Sequence, residues 1–175
     1  MITLDQLRSI IPFAGARAAT FLAPLNAAMA EFGINTTARQ TAFLAQIAHE
    51  SGSLRYVREI ASGVAYEGRE DLGNTEPGDG ERFRGRGLIQ ITGRANMAEC
   101  SVALYGDPMT LIDHPEFLEL PVQACRSAAW FWESRGLNDL ADKGAFERIT
   151  RRINGRLKGL ADRLEFYERA KKVLA

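Results

Sequence analysis

The chain has 175 residues, 46% of them hydrophobic and 25% charged, with 22 basic and 22 acidic side chains and a formal net charge of zero. That length favours one domain around one core, spanning residues 1–175. The charge balance points to neither nucleic acid nor an anionic membrane as a partner, and no stretch approaches the roughly 20 apolar residues of a membrane span, so no stable membrane insertion is expected. Asp5 and Arg8 interrupt the N-terminal "MITLDQLRSIIP", which therefore lacks the apolar run of a secretion signal. The expectation is synthesis in a cytoplasm, with Cys100 and Cys125 as reduced thiols.

Helical periodicity dominates the chain. "LDQLRSI" reads as a short helix ended by Pro12, and "ARAATFLAPLNAAMAEFG" as a second one with Pro24 as a potential kink. "TARQTAFLAQIAHESG" opens with Thr37 and Gln40 at capping-box spacing and stops at Gly52. Its residues 42–48 are apolar nearly all round, the mark of a buried helix. Residues 62–87 are rich in glycine, charge and turn formers, and a loop of that length inside a small domain is usually functional. "LIQIT" predicts a short strand paired with "ERFRG". Helices are then expected over "RANMAECSVALYG", over "PVQACRSAAWFWESRG" with Pro121 at its first position, over "AFERITRRING" with Phe146, Ile149 and Ile153 on one face, and over "GLADRLEFYERAKKVL". In the last, Glu165/Arg169 and Glu168/Lys172 have supportive i,i+4 spacing. The fold class is mainly α with a small β element.

One carboxylate stands out. Phe43, Ile47 and Glu50 share a helix face, so Glu50 leaves the buried helix on a packed side. Partial burial and the negative helix C-terminus both favour its protonated form, which suits a general acid. Glycoside hydrolysis needs a second carboxylate. Glu59, Glu67, Glu70, Asp71, Asp79 and Glu81 are available. Along straight helix, nine residues would put Glu59 about 13.5 Å from Glu50, too far for an inverting pair at roughly 6.5–9.5 Å. Gly52 allows the chain to turn back, so spacing permits Glu59 without selecting it.

"AHESGSLRYVRE", "LGNTEPGDGERFRGRGLIQITGRANM" and "RRINGRLKGLADRLEFYERA" occur in that order, and over roughly residues 37–172 the chain resembles the phage and bacterial branch of the family 19 glycoside hydrolases, the chitinase-like lysozymes and endolysins. The resemblance implies a lysozyme-like fold, with two lobes around a cleft and a small β element, forming a single catalytic domain. It implies inverting cleavage of β-1,4 links in N-acetylated polysaccharide. By the same resemblance Glu50 is the acid, Glu59 the base, and Thr92 the hydroxyl that helps hold the attacking water. Gln90, Asn96 and Asn154 match substrate-contacting amides, Arg163 an arginine in the charge network beside the acid, and His49 the residue preceding it. Amides that both donate and accept suit sugar hydroxyls and N-acetyl groups, and the glycines of "GRG" would let backbone approach a sugar closely.

The chain departs from the family at Met97, where a tyrosine is common, and at Arg156, where "INGG" becomes "INGR", followed by Lys158. Other chemistries fit worse. "GRGLIQ" lacks the third glycine of a dinucleotide loop, no G-x-S-x-G is present, and His49 and His114 are the only histidines, in no zinc-hydrolase spacing. No metal or cofactor is implied. Arg82, Arg84, Arg86 and Arg94 form a local basic cluster, read either as a solvated loop or as attraction for an anionic wall polymer. The favoured reading is a monomeric endolysin that cuts peptidoglycan, made in the bacterial cytoplasm and released to the wall by a holin. The alternatives are a chitinase and a catalytically inactive glycan-binding protein.

Overall fold

A computed structural model describes residues 1–175. Its α-helices are α1 (Leu4–Ile10), α2 (Arg17–Glu31), α3 (Thr37–Glu50), α4 (Asp79–Arg82), α5 (Arg94–Tyr105), α6 (Thr110–Asp113), α7 (Pro121–Ser134), α8 (Leu137–Asp142), α9 (Phe146–Asn154) and α10 (Leu160–Leu174). The sequence pattern finds each of the longer ones. Pro24 lies inside α2 without ending it, and Pro121 opens α7. The cap of α3 is Thr36, one residue before the expected position, with its hydroxyl accepting from the Arg39 N–H at 3.2 Å.

α3 is the axis of the molecule. Residues Thr41 to Ala48 are all buried, as an apolar run on every face requires. α10 packs along it, α1 on α10, and α2 against α7. Phe43 meets Trp132 of α7 edge-to-face, with ring centroids 5.4 Å apart. The core is one cluster of 41 buried residues. Both cysteines belong to it, and burial pushes the Cys100 thiol up to about 12 and the Cys125 thiol higher, so both are inert packing groups. No helix is long and apolar enough to cross a membrane. On α10, Arg169 pairs with Glu165 at 3.8 Å as spaced, but Glu168 takes Lys171 rather than Lys172.

The expected strand pairing shrinks to isolated bridges, Arg58 with Arg86 and Arg86 with Ile91. Arg86 and Ile91 exchange both backbone hydrogen bonds, at 3.0 and 2.8 Å, around the turn 87–90. Gly87 (φ 78°) and Gln90 (φ 59°) lie in the left-handed region, so the turn consumes residues that β-branching alone would have placed in a strand. "ERF" belongs to α4 and its end instead.

The long segment 62–93 is ordered by polar clamps. Both Glu67 carboxylate oxygens accept backbone N–H groups, from Gly78 at 2.7 Å and Gly80 at 2.8 Å. Asn74, fully buried, donates to Tyr66 O and accepts from Arg94 N. Asp79 is bidentate to Arg94, at 2.6 and 2.8 Å, and that guanidinium holds its carboxyl below the usual range. A depressed native value means stability that is present above the unfolded value of about 4 and is lost as pH falls through the native one. Replacing Asp79 by Asn should therefore destabilise the protein by roughly 3 kcal/mol near neutral pH, with the gap to wild type narrowing below about pH 4. Urea titrations at pH 7 and pH 3 would measure both.

Candidate active site

The segment after Glu50 explains how a second carboxylate reaches the first. Gly52, Ser53 and Leu54 have φ of 55°, 62° and 63°, three left-handed residues in succession. Each non-glycine there costs roughly 1–2 kcal/mol. The Ser51 hydroxyl offsets part of this by donating to Ile47 O and accepting from Leu54 N, and Leu54 is buried. The chain reverses, and Glu50 and Glu59 come to line one cleft of about 250 Å³ together with Tyr56, Arg58, Ile60 and Gln90.

The two carboxylates sit in different surroundings. Glu50 receives a hydrogen bond on Oε1 from Arg163 at 2.5 Å, which leaves Oε2 free. Arg163 itself is 2% exposed. Its other nitrogens donate to Gln46 Oε1 and to Lys158 O, and Gln46 in turn donates to Thr150 at 2.8 Å. Glu59 accepts on both oxygens, from the Tyr66 hydroxyl at 2.9 Å and from Gly85 N at 3.0 Å. Burial, and next the Glu59 charge, push the Tyr66 hydroxyl up, so it stays a donor.

Gln90 borders a second depression of about 120 Å³, with Thr92, Asn96, Trp130, Phe131 and Arg135, so the two depressions run into one groove. The Thr92 hydroxyl donates to Gln90 O at 2.9 Å and Asn96 donates to Thr92 O at 2.7 Å. Gln90 is held in its left-handed backbone while its side chain donates to Gly87 O, a strained residue at a polar cleft.

Of the residues singled out in the sequence, Glu50, Glu59 and Gln90 thus meet at one end of the groove, and Gln90, Thr92 and Asn96 at the other. Three lie elsewhere. Arg163 stands behind the acid and is too buried to touch a substrate. His49 Nδ1 meets Asp162 Oδ2 at 2.5 Å, and the ring packs against Gly159. Asn154 folds the loop after α9, donating to Lys158 O and accepting from Arg156 N. Of the other acids, Glu67 and Asp79 are engaged in the loop and Asp71 with Arg69, while Glu70 and Glu81 line neither depression. Three of the four clustered arginines are also consumed internally: Arg82 by Ile112 O and Asp113 O, Arg86 by Glu119, Arg94 by Asp79. That cluster is a set of structural ties, not an attractive surface. Tyr66 and Arg135 carried no sequence signal. Gln46 carried one, as the lone polar residue in an apolar run.

No family model matches the chain. It is 30% identical over 174 residues to a glycosyl hydrolase family 19 domain-containing protein of Haemophilus influenzae, an alignment covering 82% of this chain and 84% of that one. The chain belongs to glycoside hydrolase family 19. It is accordingly a glycoside hydrolase. It is also 30% identical over 143 residues to Endochitinase CHI of Arabidopsis thaliana, covering 78% of this chain and 50% of the plant protein, so it spans about half the length of that relative. The fold is that of chitinase C from Streptomyces griseus, with a TM-score of 0.79 at 22% identity over 99% of this chain and 76% of the other. A second bacterial family 19 chitinase gives 0.79 at 24%, covering 99% and 95%. The lysozyme-like architecture expected from the family is therefore present.

The family motif glycines have local reasons. A Cβ on Gly85 would fall 2.8 Å from Gln90 Oε1 and 3.2 Å from Glu59 Oε2, and one on Gly87 would fall 2.7 Å from Ser127 Oγ. Neighbouring side chains, not an approaching sugar, exclude a side chain at both. The nearest obstacle to Gly85→Ala is the flexible end of Gln90, so that variant should fold while losing about 10–100-fold in kcat through displaced cleft groups. Circular dichroism and turnover of a glycan oligomer would check the two halves.

Proposed function

We propose that this family 19 hydrolase cleaves β-1,4 links of bacterial peptidoglycan by single displacement, with Glu50 as general acid and Glu59 as base. The observation that carries the reading is the pair of carboxylates lining one cleft with different partners. Glu50, held on Oε1 by Arg163, offers Oε2 to the glycosidic oxygen. Glu59, oriented by Tyr66 and Gly85 N, accepts a proton from water on the opposite face of the sugar, as inversion requires. Gln90, Thr92 and Asn96 supply polar groups along the groove, and the exposed Ile60 offers an apolar face to a pyranose ring. Arg135, an arginine without an acidic partner, borders the groove's far end, which suits a strand bearing carboxylates.

A second reading is a chitinase, favoured by the similarity to a plant endochitinase and to bacterial family 19 chitinases.

Glu50→Gln should keep the fold and lower kcat at least about 10²–10⁴-fold, the usual contribution of a general acid. Lysis of permeabilised Gram-negative cells at near wild-type rate by that variant would sink the assignment. Glu59→Gln should likewise lose turnover while still binding glycan, whereas Glu70 and Glu81 variants should keep it. Proton NMR of fresh product should show the inverted anomer, and mass spectrometry of digested walls would name the bond. Comparable activity on colloidal chitin with none on walls would establish the chitinase instead.

A further inference from the structure

The cations of the chain are balanced in number but not in place. On α9 and the loop after it, Arg148, Arg151, Arg152 and Arg156 have no carboxylate within 4.0 Å. Arg148, Arg151 and Arg152, with Leu140 as floor, line a depression of about 270 Å³. It adjoins the groove through one contact: Arg152 donates to the backbone carbonyl of Arg135 at 3.0 Å, and Arg135 lines the groove beside Gln90, Thr92 and Asn96.

Arg135 is unusual on its own account. Its guanidinium lies 3.6 Å from the centroid of the Phe131 ring and makes only a long 3.4 Å hydrogen bond to Ser134. It is half-buried and forms no ion pair. Burial pushes its protonation equilibrium down, only partly opposed by Glu99. A partly desolvated, unpaired guanidinium, held over an aromatic ring and open to a groove, gains from an incoming planar anion.

We propose that Arg135 and the arginine-lined depression beside it form an anion subsite at one end of the groove, which takes the carboxylates of a glycan strand. The inference rests on the glycan-strand reading of the groove and names what distinguishes the preferred strand: its charge. Arg135 would meet the carboxylate nearest the sugar on a peptide carried by the residue in the groove. Arg148 and Arg151, farther out, would meet carboxylates farther along the peptide.

The test compares three substrates: soluble peptidoglycan strands with intact peptides, the same strands with carboxyl groups amidated, and a neutral chitin hexamer. For Arg135→Gln, kcat/KM on the anionic strands relative to the amidated ones should fall about tenfold or more, the size expected for a lost charged hydrogen bond. The exposed pair Arg148→Gln/Arg151→Gln should flatten the salt dependence of wall cleavage, because exposed charges are the ones salt screens. Equal losses on charged and amidated strands, or no loss on either, would overturn the subsite while leaving the glycosidase intact. Should the wild type cleave only chitin, the peptidoglycan reading fails separately. The subsite is then read by calorimetric titration of Glu50→Gln protein with the anionic strands: binding that weakens about tenfold on adding Arg135→Gln supports it, and unchanged or absent binding overturns it. Competition by duplex DNA or phosphatidylglycerol vesicles as strong as that by the anionic strands would overturn selection for glycan carboxylates in favour of a general polyanion surface.

Discussion

The buried guanidinium of Arg163 is the interaction on which the rest depends. Taking an arginine out of water costs several kcal/mol unless its N–H groups find acceptors. Here Nε, NH1 and NH2 reach Lys158 O, Gln46 and Glu50. Gln46 and Glu50 stand one turn apart on α3, Arg163 begins α10, and the Gln46 amide continues to Thr150 on α9. Three helices are thus registered at the point where the cleft carboxylate leaves the core. Orientation of Glu50 and docking of the closing helix are one interaction, and neither can be altered alone.

The opposite wall is built on another principle. Segment 62–93 has little regular structure, yet its side chains satisfy its own backbone: Glu67 caps two amides, Asn74 bridges Tyr66 to Arg94, and Asp79 anchors Arg94. Gly63 and Gly80 meet backbone to backbone, where a Cβ on Gly63 would fall 2.3 Å from Gly80 O. Such a loop can hold Tyr66 and Gly85 N against Glu59 as firmly as a strand could.

The helices were legible because their signal is local: apolar period, caps, and the glycines and prolines that stop them. The buried run before Glu50 and the reversal at Gly52 followed from residue type alone. The strand did not survive, since the positive φ of Gln90 and the tight turn 87–90 are set by tertiary contacts that β-propensity does not record. The cleft was half legible. Glu50 announces itself as an acid ending an apolar helix, whereas selecting Glu59 needed the family resemblance. Arg163 had been placed in the charge network beside the acid, but not that its burial removes it from the substrate. Arg135 lay hidden because an arginine at a helix end looks the same whether it faces water or a groove, and Arg82 and Arg86 of "ERFRGRG" looked free because their partners are distant in sequence.

The loop between α9 and α10 divides into a frame and a face. A side chain at Gly159 would fall 2.3 Å from the His49 ring, and that glycine has φ of 71°. Asn154 holds the Lys158 carbonyl that Arg163 needs. The side chains of Arg156 and Lys158 do neither and stand exposed. Positions 154 and 159 therefore answer to the fold, while 156 and 158 can change charge without disturbing the support of Glu50. A lineage could retune the electrostatics of this rim while leaving its chemistry untouched, and the departure from "INGG" to "INGR" falls on the side of the loop where such drift is free.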